Sequence, residues 1–265
     1  MSTAQRTAPA ATGADRGRQV AVTLAEVFCI VGTLVGVGVI GTRVEESSDG
    51  ALAADATLLA PLGPAFSIWS VVYAGLAAYT VWQWLPGSTT DPRARRTGWP
   101  AAASMVLNAA WLLVTQQGWL WASVGVILAL VVVLGVLVQR LADLGPAPSL
   151  LQRVVVDATF GLYLGWVAVA TCANITATLV ADGVETSATV GELLAALVIA
   201  VVVGVAALVV SRTGPRWSFA AAVAWGLGWI AVGRLTDEPA STLVGVVAAV
   251  AAVAVLGLTA RLSPR

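Results

Sequence analysis

The chain has 265 residues with no lysine and no histidine, a formal net charge of zero, and 58% hydrophobic against 11% charged residues. Soluble domains carry about 25% charged residues, so this composition describes an integral membrane protein with no nucleic-acid partner. Imidazole ligation of a metal or haem iron is excluded, as are Ser-His-Asp and Cys-His catalytic sets. The sequence also lacks a Gly-rich phosphate loop of the G-x-x-x-x-G-K-[ST] type.

A bilayer core of about 30 Å takes roughly 17 to 25 apolar residues per helix. Residues 1–19, rich in Ala, Thr, Gly and Pro, read as a disordered cytoplasmic tail. Eight spans follow at approximately Val20 to Ile40, Ala65 to Leu85, Trp99 to Val114, Trp119 to Val138, Val154 to Val180, Val190 to Val210, Trp217 to Val232 and Thr242 to Ala260. The third and seventh are short. The first run is too long for a signal-peptide core, and no clear Ala-x-Ala site follows it. The fold class expected is an all-α membrane bundle.

Basic residues test the count, because they remain on the cytoplasmic side of spanning helices. With eight spans, Arg43 and Arg234 alone fall on the far side, which leaves 12 of the 14 basic residues on the side of the termini. The far loops gather Glu45, Glu46, Asp49, Asp55, Asp182, Glu185, Asp237 and Glu238. Both termini are therefore expected in the cytoplasm. Absence of lysine beside abundant Ala, Val, Gly and Arg fits a GC-rich bacterial genome and a multi-pass plasma-membrane protein.

Acids inside the spans have structural readings. Glu26 follows Thr23, and Glu192 follows Thr189, at the spacing of a helix N-terminal capping box. Asp157 lies four residues after Arg153, the spacing of a helical ion pair. On these readings no acid is left near the bilayer centre to relay protons. Cys29 and Cys172 read as small buried hydrophobes. Gly32 with Gly36, and Gly161 with Gly165, have small-xxx-small spacing, for packing within the bundle or a homodimer seam.

Three stripes are harder to reduce to packing. Tyr163, Trp166, Ala170 and Asn174 follow at steps of three, four and four, which places them on one face of the fifth span. Phe66, Trp69 and Tyr73 form a second stripe, and Asn108, Trp111 and Thr115 a third. Interfacial belts account for Trp82, Trp84, Trp99, Trp119, Trp121 and Trp217 near predicted ends, but not for Trp111 and Trp166. At about 1.5 Å per residue, Tyr73, Asn108, Trp111, Trp166 and Ala170 reach similar levels beneath the Thr42 to Gly63 connection.

At these residues the chain resembles the tryptophan-rich sensory protein (TspO) and peripheral benzodiazepine receptor, or translocator protein, family. Phe66, Trp69 and Tyr73 after Pro64 are similar to its P-x-x-F-x-x-x-W-x-x-x-Y entry, with Phe66 one residue nearer Trp69. Asn108-Ala-Ala-Trp111 matches N-x-x-W, and Tyr163 to Asn174 matches Y-L-x-W-x-x-x-A-x-x-x-N. The resemblance covers residues 20–180, a five-helix bundle, and leaves residues 181–265 as an extension of three helices. It implies a pocket for hydrophobic planar ligands, chiefly porphyrins and other tetrapyrroles, walled by Trp69, Tyr73, Asn108, Trp166 and Ala170. Porphyrin or haem would enter as a ligand, with no cofactor required.

Departures limit what is carried over. The Thr42 to Gly63 connection contains none of the family's tryptophans, so neither closure of a lid over the pocket nor tetrapyrrole degradation is implied. Thr115, Gln116 and Gln117 replace an aromatic pair, and the sterol-associated pattern after Asn174 is absent. The leading reading is a receptor or binding protein with a sensing or transport-linked role. A small-solute transporter using all eight helices is the alternative, and slow redox or photochemistry on a bound porphyrin is a third.

Overall fold

The computed structural model describes residues 10–36, 38–40, 42–44, 46–214 and 216–263. Among them, eight helices are long and apolar enough to span a membrane: α1 Gly13–Gly36, α2 Gly63–Trp82, α3 Pro92–Gln116, α4 Leu120–Asp143, α5 Leu150–Ala181, α6 Ala188–Thr213, α7 Trp217–Thr236 and α8 Thr242–Leu262. No strand occurs among the described residues. All backbone groups in lipid must be paired within their own segment, and the continuous runs of Ala, Val and Leu meet that demand as helices. Exposed Leu193, Leu197, Val201 and Leu208 on α6, with Val246, Val250 and Val253 on α8, give the bundle a lipid-compatible flank.

Local chemistry sets the helix ends and corrects several expectations. The helix α1 begins at Gly13, so residues 13–19 are not a disordered tail; residues 1–9 lie outside the described residues. Its capping box is Thr12 with Asp15: the Thr12 N–H donates to Asp15 Oδ2 at 3.0 Å and the Asp15 N–H to Thr12 Oγ1 at 3.3 Å. Glu26 therefore lies in mid-helix and caps nothing. Glu192 likewise does not cap α6; its Oε1 accepts from Ser241 Oγ, just before α8, at 2.6 Å. The third span is not short. Asp91 accepts from the Arg93 N–H at 2.8 Å and Pro92 opens the helix, well ahead of Trp99 where the apolar run begins. At the far end of α5, Gly183 takes φ 87°, a conformation strained for L side chains, and turns the chain toward α6.

The ion pair expected between Asp157 and Arg153 is replaced by a longer-range one. Residues Arg153–Ala158 form a π-helical turn at the start of α5, and among the described residues Arg153 and Asp157 form no ion pair. Asp157 instead accepts from Arg93 of α3 at 2.8 and 2.9 Å and from Arg216, before α7, at 3.3 Å. Nearby, Asp15 binds Arg18 at 3.1 Å and Arg95 at 2.8 Å. These pairs tie α1, α3, α5 and the start of α7 together at one end of the molecule, here termed the basic end; the opposite end is the acidic end.

Close packing follows the small residues. α1 runs beside α3, with Gly32 against Ala109 and Gly36 against Leu112; α5 runs beside α7, with Gly161 against Ser218 and Gly165 against Phe219 and Ala222. Both glycine pairs are thus used inside the chain. A methyl group on Gly165 would stand 2.4 Å from the Phe219 carbonyl oxygen, which belongs to a helix backbone and cannot move alone. Gly165→Ala should therefore cost about 1–3 kcal/mol and lower the unfolding temperature in detergent. Gly204→Ala is the control, since nothing lies within 4 Å of a methyl there. Equal unfolding temperatures for the two variants would show that the seam tolerates separation.

Trp84, Trp99, Trp119, Trp121 and Trp217 are exposed near helix ends, as an interfacial belt requires. Trp82 is not part of it: the side chain is buried against Tyr79, with ring centroids 5.8 Å apart.

Candidate functional site

The stripes read from spacing converge near the acidic end. On α2, Trp69 and Tyr73 are one turn apart and stack, with centroids 5.2 Å apart and planes at 15°. Trp166 of α5 meets Phe66 at 5.7 Å and Trp69 at 6.3 Å, both edge to face. Such contacts hold rings in fixed orientations at about 0.5–1.5 kcal/mol per pair. The aromatic wall is therefore preorganised.

Two amides lock the surrounding helices. Asn108 Nδ2 donates to Tyr73 Oη at 3.1 Å and to Cys29 Sγ at 3.4 Å, joining α3 to α2 and α1. Asn174 Oδ1 accepts from Trp111 Nε1 at 2.9 Å, and its Nδ2 donates to Ser123 Oγ at 3.0 Å, joining α5 to α3 and α4. Each amide thus fixes the aromatic ring it bonds.

A cavity of about 390 Å³ lies among Thr33 and Gly36 of α1, Phe66, Trp69, Ser70 and Tyr73 of α2, Trp111 and Leu112 of α3, and Arg43 and Val44 of the first connection. That volume is within the range of small-molecule sites. A second space of about 50 Å³ adjoins it, sharing Val44, Phe66 and Trp111 and reaching Trp166, Ala170 and Asn174. Phe66 and Trp111 stand between the two. Of the expected residues, Phe66, Trp69, Tyr73, Trp111, Trp166, Ala170 and Asn174 line one or both spaces. Asn108 and Tyr163 line neither; Asn108 supports Tyr73, and Tyr163 backs Trp69 edge to face at 5.8 Å while its hydroxyl donates to the Ser104 carbonyl.

The cover is apolar and contains no aromatic residue: Ala51, Leu52, Ala53, Ala60 and Pro61 face the smaller space. It is fastened from two sides. Gln116 Nε2 donates to the Thr42 carbonyl at 2.8 Å, and Ser48 Oγ to the Thr115 carbonyl at 2.8 Å. On the other side, Arg234 of α7 donates to the carbonyls of Thr57 at 3.0 Å and Ala54 at 3.3 Å, while Trp225 Nε1 donates to the Ala65 carbonyl at 2.9 Å.

A family model described as TSPO-like protein matches residues 20–261. The chain belongs to the TSPO-like protein family. This TSPO-like match extends through all eight helices, so the fastening of the cover by α7 falls within the matched region. No curated protein and no solved structure matches the chain.

Sequence reasoning missed Thr33, Gly36, Arg43 and Leu112 as wall residues. Gly36 carries a signal in the small-residue stripe of α1, which Thr33 adjoins, and Arg43 in being one of two basic residues among the acidic loops. Leu112 carries none, since composition does not distinguish one apolar residue of a span from another.

Proposed function

We propose that this TSPO-like protein is a membrane receptor or binding protein for flat hydrophobic ligands of the porphyrin and tetrapyrrole class, serving in sensing or transport. The observation that carries the reading is the aromatic cavity of about 390 Å³ formed by Phe66, Trp69, Tyr73 and Trp111, with a smaller adjoining space that lies under the fastened apolar cover. Planar ligands stack on Trp and Tyr faces, and displacement of Phe66 would join the two spaces. Arg43 supplies one positive charge at the wall for a carboxylate on the ligand.

Recognition by stacking and shape predicts that metal-free protoporphyrin binds about as well as haem. Trp166→Ala or Asn108→Ala should weaken both by about 1–3 kcal/mol through loss of a ring face or of the hydrogen bond that holds Tyr73. Titration of both porphyrins by tryptophan quenching checks this. Unchanged affinity in both variants would put the ligand elsewhere, and absence of porphyrin binding with saturable flux of a small solute into proteoliposomes would favour a transporter.

We further propose that the basic end faces the cytoplasm of a bacterial plasma membrane. Reporter fusions after Gly87, Gly145 and Gly214 should then read cytoplasmic, and fusions after Gly50, Gly183 and Glu238 external. The opposite pattern would invert the molecule and turn the cavity toward the cytoplasm.

A further inference from the structure

Glu26 lies midway along the 24 residues of α1 and is only 5% exposed. Its Oε2 is buried with no hydrogen-bond partner. A carboxylate left unpaired is costly inside a membrane protein, and intramembrane acids are functional by default. The position on α1 removes the capping role that would otherwise account for it, and restores a buried acid to the spanning part of the bundle.

Among the described residues, Glu26 takes part in no ion pair. Cys29 on α1, Tyr73 on α2 and Tyr163 on α5 are the titratable groups nearest Glu26, and Asn108 faces the same region from α3. Arg18, nearer the basic end, is held by Asp15 at 3.1 Å, Gln83 at 3.3 Å and the Thr89 carbonyl at 2.8 Å.

Along α1, Glu26 lies between two polar clusters, one at Gln19 and Gln83 and one at Cys29 and Asn108. Toward the acidic end, Cys29, Asn108 and Tyr73 lead to the cavity, where Tyr73 and Thr33 form part of the wall. Toward the basic end, Tyr73, Leu76, Thr80 and Gln83 recur at steps of three, four and three on one stripe of α2 and just past its end, with the buried Leu76 separating Tyr73 from the polar pair. Thr80 Oγ1 and Gln83 Nε2 on that stripe are buried and unpartnered as well. Beyond them, Gln19 Nε2 donates to the Gln83 carbonyl at 2.6 Å. Unsatisfied buried polar atoms are few in a native structure, and each calls for an explanation.

We propose that Glu26 is an intramembrane proton-binding site, which takes up and releases one proton as the cavity above it fills and empties. The exchange is Glu26 carboxylate plus hydronium giving the carboxylic acid and water, and the reverse on release, with bulk solvent, reached by way of the cavity, as proton source and sink. A flat ligand that displaces this water changes the solvation of Glu26, and linkage then makes ligand affinity depend on proton occupancy. The coupling rests on the ligand reading proposed above; the proton site itself does not.

Infrared difference spectra of the ligand-free protein between acidic and alkaline buffer test the site. Wild type should give the band of a buried titrating carboxyl, which Glu26→Gln removes and Glu26→Asp shifts. Glu185→Gln, altering an exposed loop acid, should leave it. A band that persists unchanged in both Glu26 variants, or a wild type with no titrating buried carboxyl, overturns the site. Coupling is read by protoporphyrin titration in the same buffers: wild-type affinity should change by about fivefold or more, beyond the change in Glu26→Gln. Equal pH dependence in the two proteins overturns the coupling. Failure of protoporphyrin to bind wild type at any pH overturns the ligand reading and, with it, the coupling, while the infrared result still decides the site.

Discussion

Asp157→Ala is expected to destabilise the protein by about 3 kcal/mol, the low end of the cost of removing one partner from a buried ion pair, since Asp157 itself is 15% exposed. Asp157 is the acid between Arg93, 4% exposed, and Arg216, 13% exposed. Burial pulls the Arg216 guanidinium below its ordinary range and Asp157 opposes that shift, so loss of the carboxylate leaves two desolvated cations facing each other. Arg93 also donates to the Gly145 carbonyl, which ties the α4–α5 connection to the same cluster. Unfolding in detergent, followed by circular dichroism, measures the effect. Arg153→Ala serves as the contrast, because the sequence spacing points to Arg153 while the structure gives Asp157 other partners. An Asp157→Ala protein as stable as wild type would reduce the cluster to a solvated surface feature.

That contrast illustrates how far spacing carries. The eight spans and the convergence of Phe66, Trp69, Trp111 and Trp166 are legible because a helix in lipid is set by continuous apolarity and its faces by a fixed angular step. Helix starts are less legible, since α1 and α3 begin in polar residues whose charges are neutralised by partners distant in sequence: Asp15 finds Arg95, and Arg93 finds Asp157. Composition registers those residues as loop. Glu26 is obscured for a related reason. Thr23 and Glu26 have the spacing of a cap, but Thr12 and Asp15 supply the cap earlier in the chain, and Thr23 Oγ1 instead donates to the Gln19 carbonyl at 2.9 Å. The contribution of α7 to the site is half legible: Arg234, like Arg43, stands out as a basic residue among acidic loops, but its partners are backbone carbonyls of the cover, which have no residue signature.

Arg234→Met tests that contribution. Arg234 is 1% exposed and lies in the last turn of α7, with donations to the Thr57 and Ala54 carbonyls of the cover and to the Glu238 carbonyl at 3.3 Å. Hydrogen bonds from a charged donor are worth about 1.5–3 kcal/mol each, but loop carbonyls released toward water recover part of that loss. We expect a net stability loss of about 2–3 kcal/mol and a larger functional consequence. With Arg234 gone, the cover is still held by Gln116 and Ser48 on the α3 side and at its end by Trp225 on the Ala65 carbonyl, and the stretch around Ala54 and Thr57 between them is free to lift. Changes within one interface act mainly on dissociation, so protoporphyrin should leave about tenfold faster from Arg234→Met than from wild type, with a smaller change in association. Stopped-flow recovery of tryptophan fluorescence measures both rates. Gln116→Ala loses a single, solvent-exposed bond and should change dissociation less. If Arg234→Met is less stable yet releases porphyrin at the wild-type rate, the cover does not retain the ligand, and α7 supports the bundle without acting on the site.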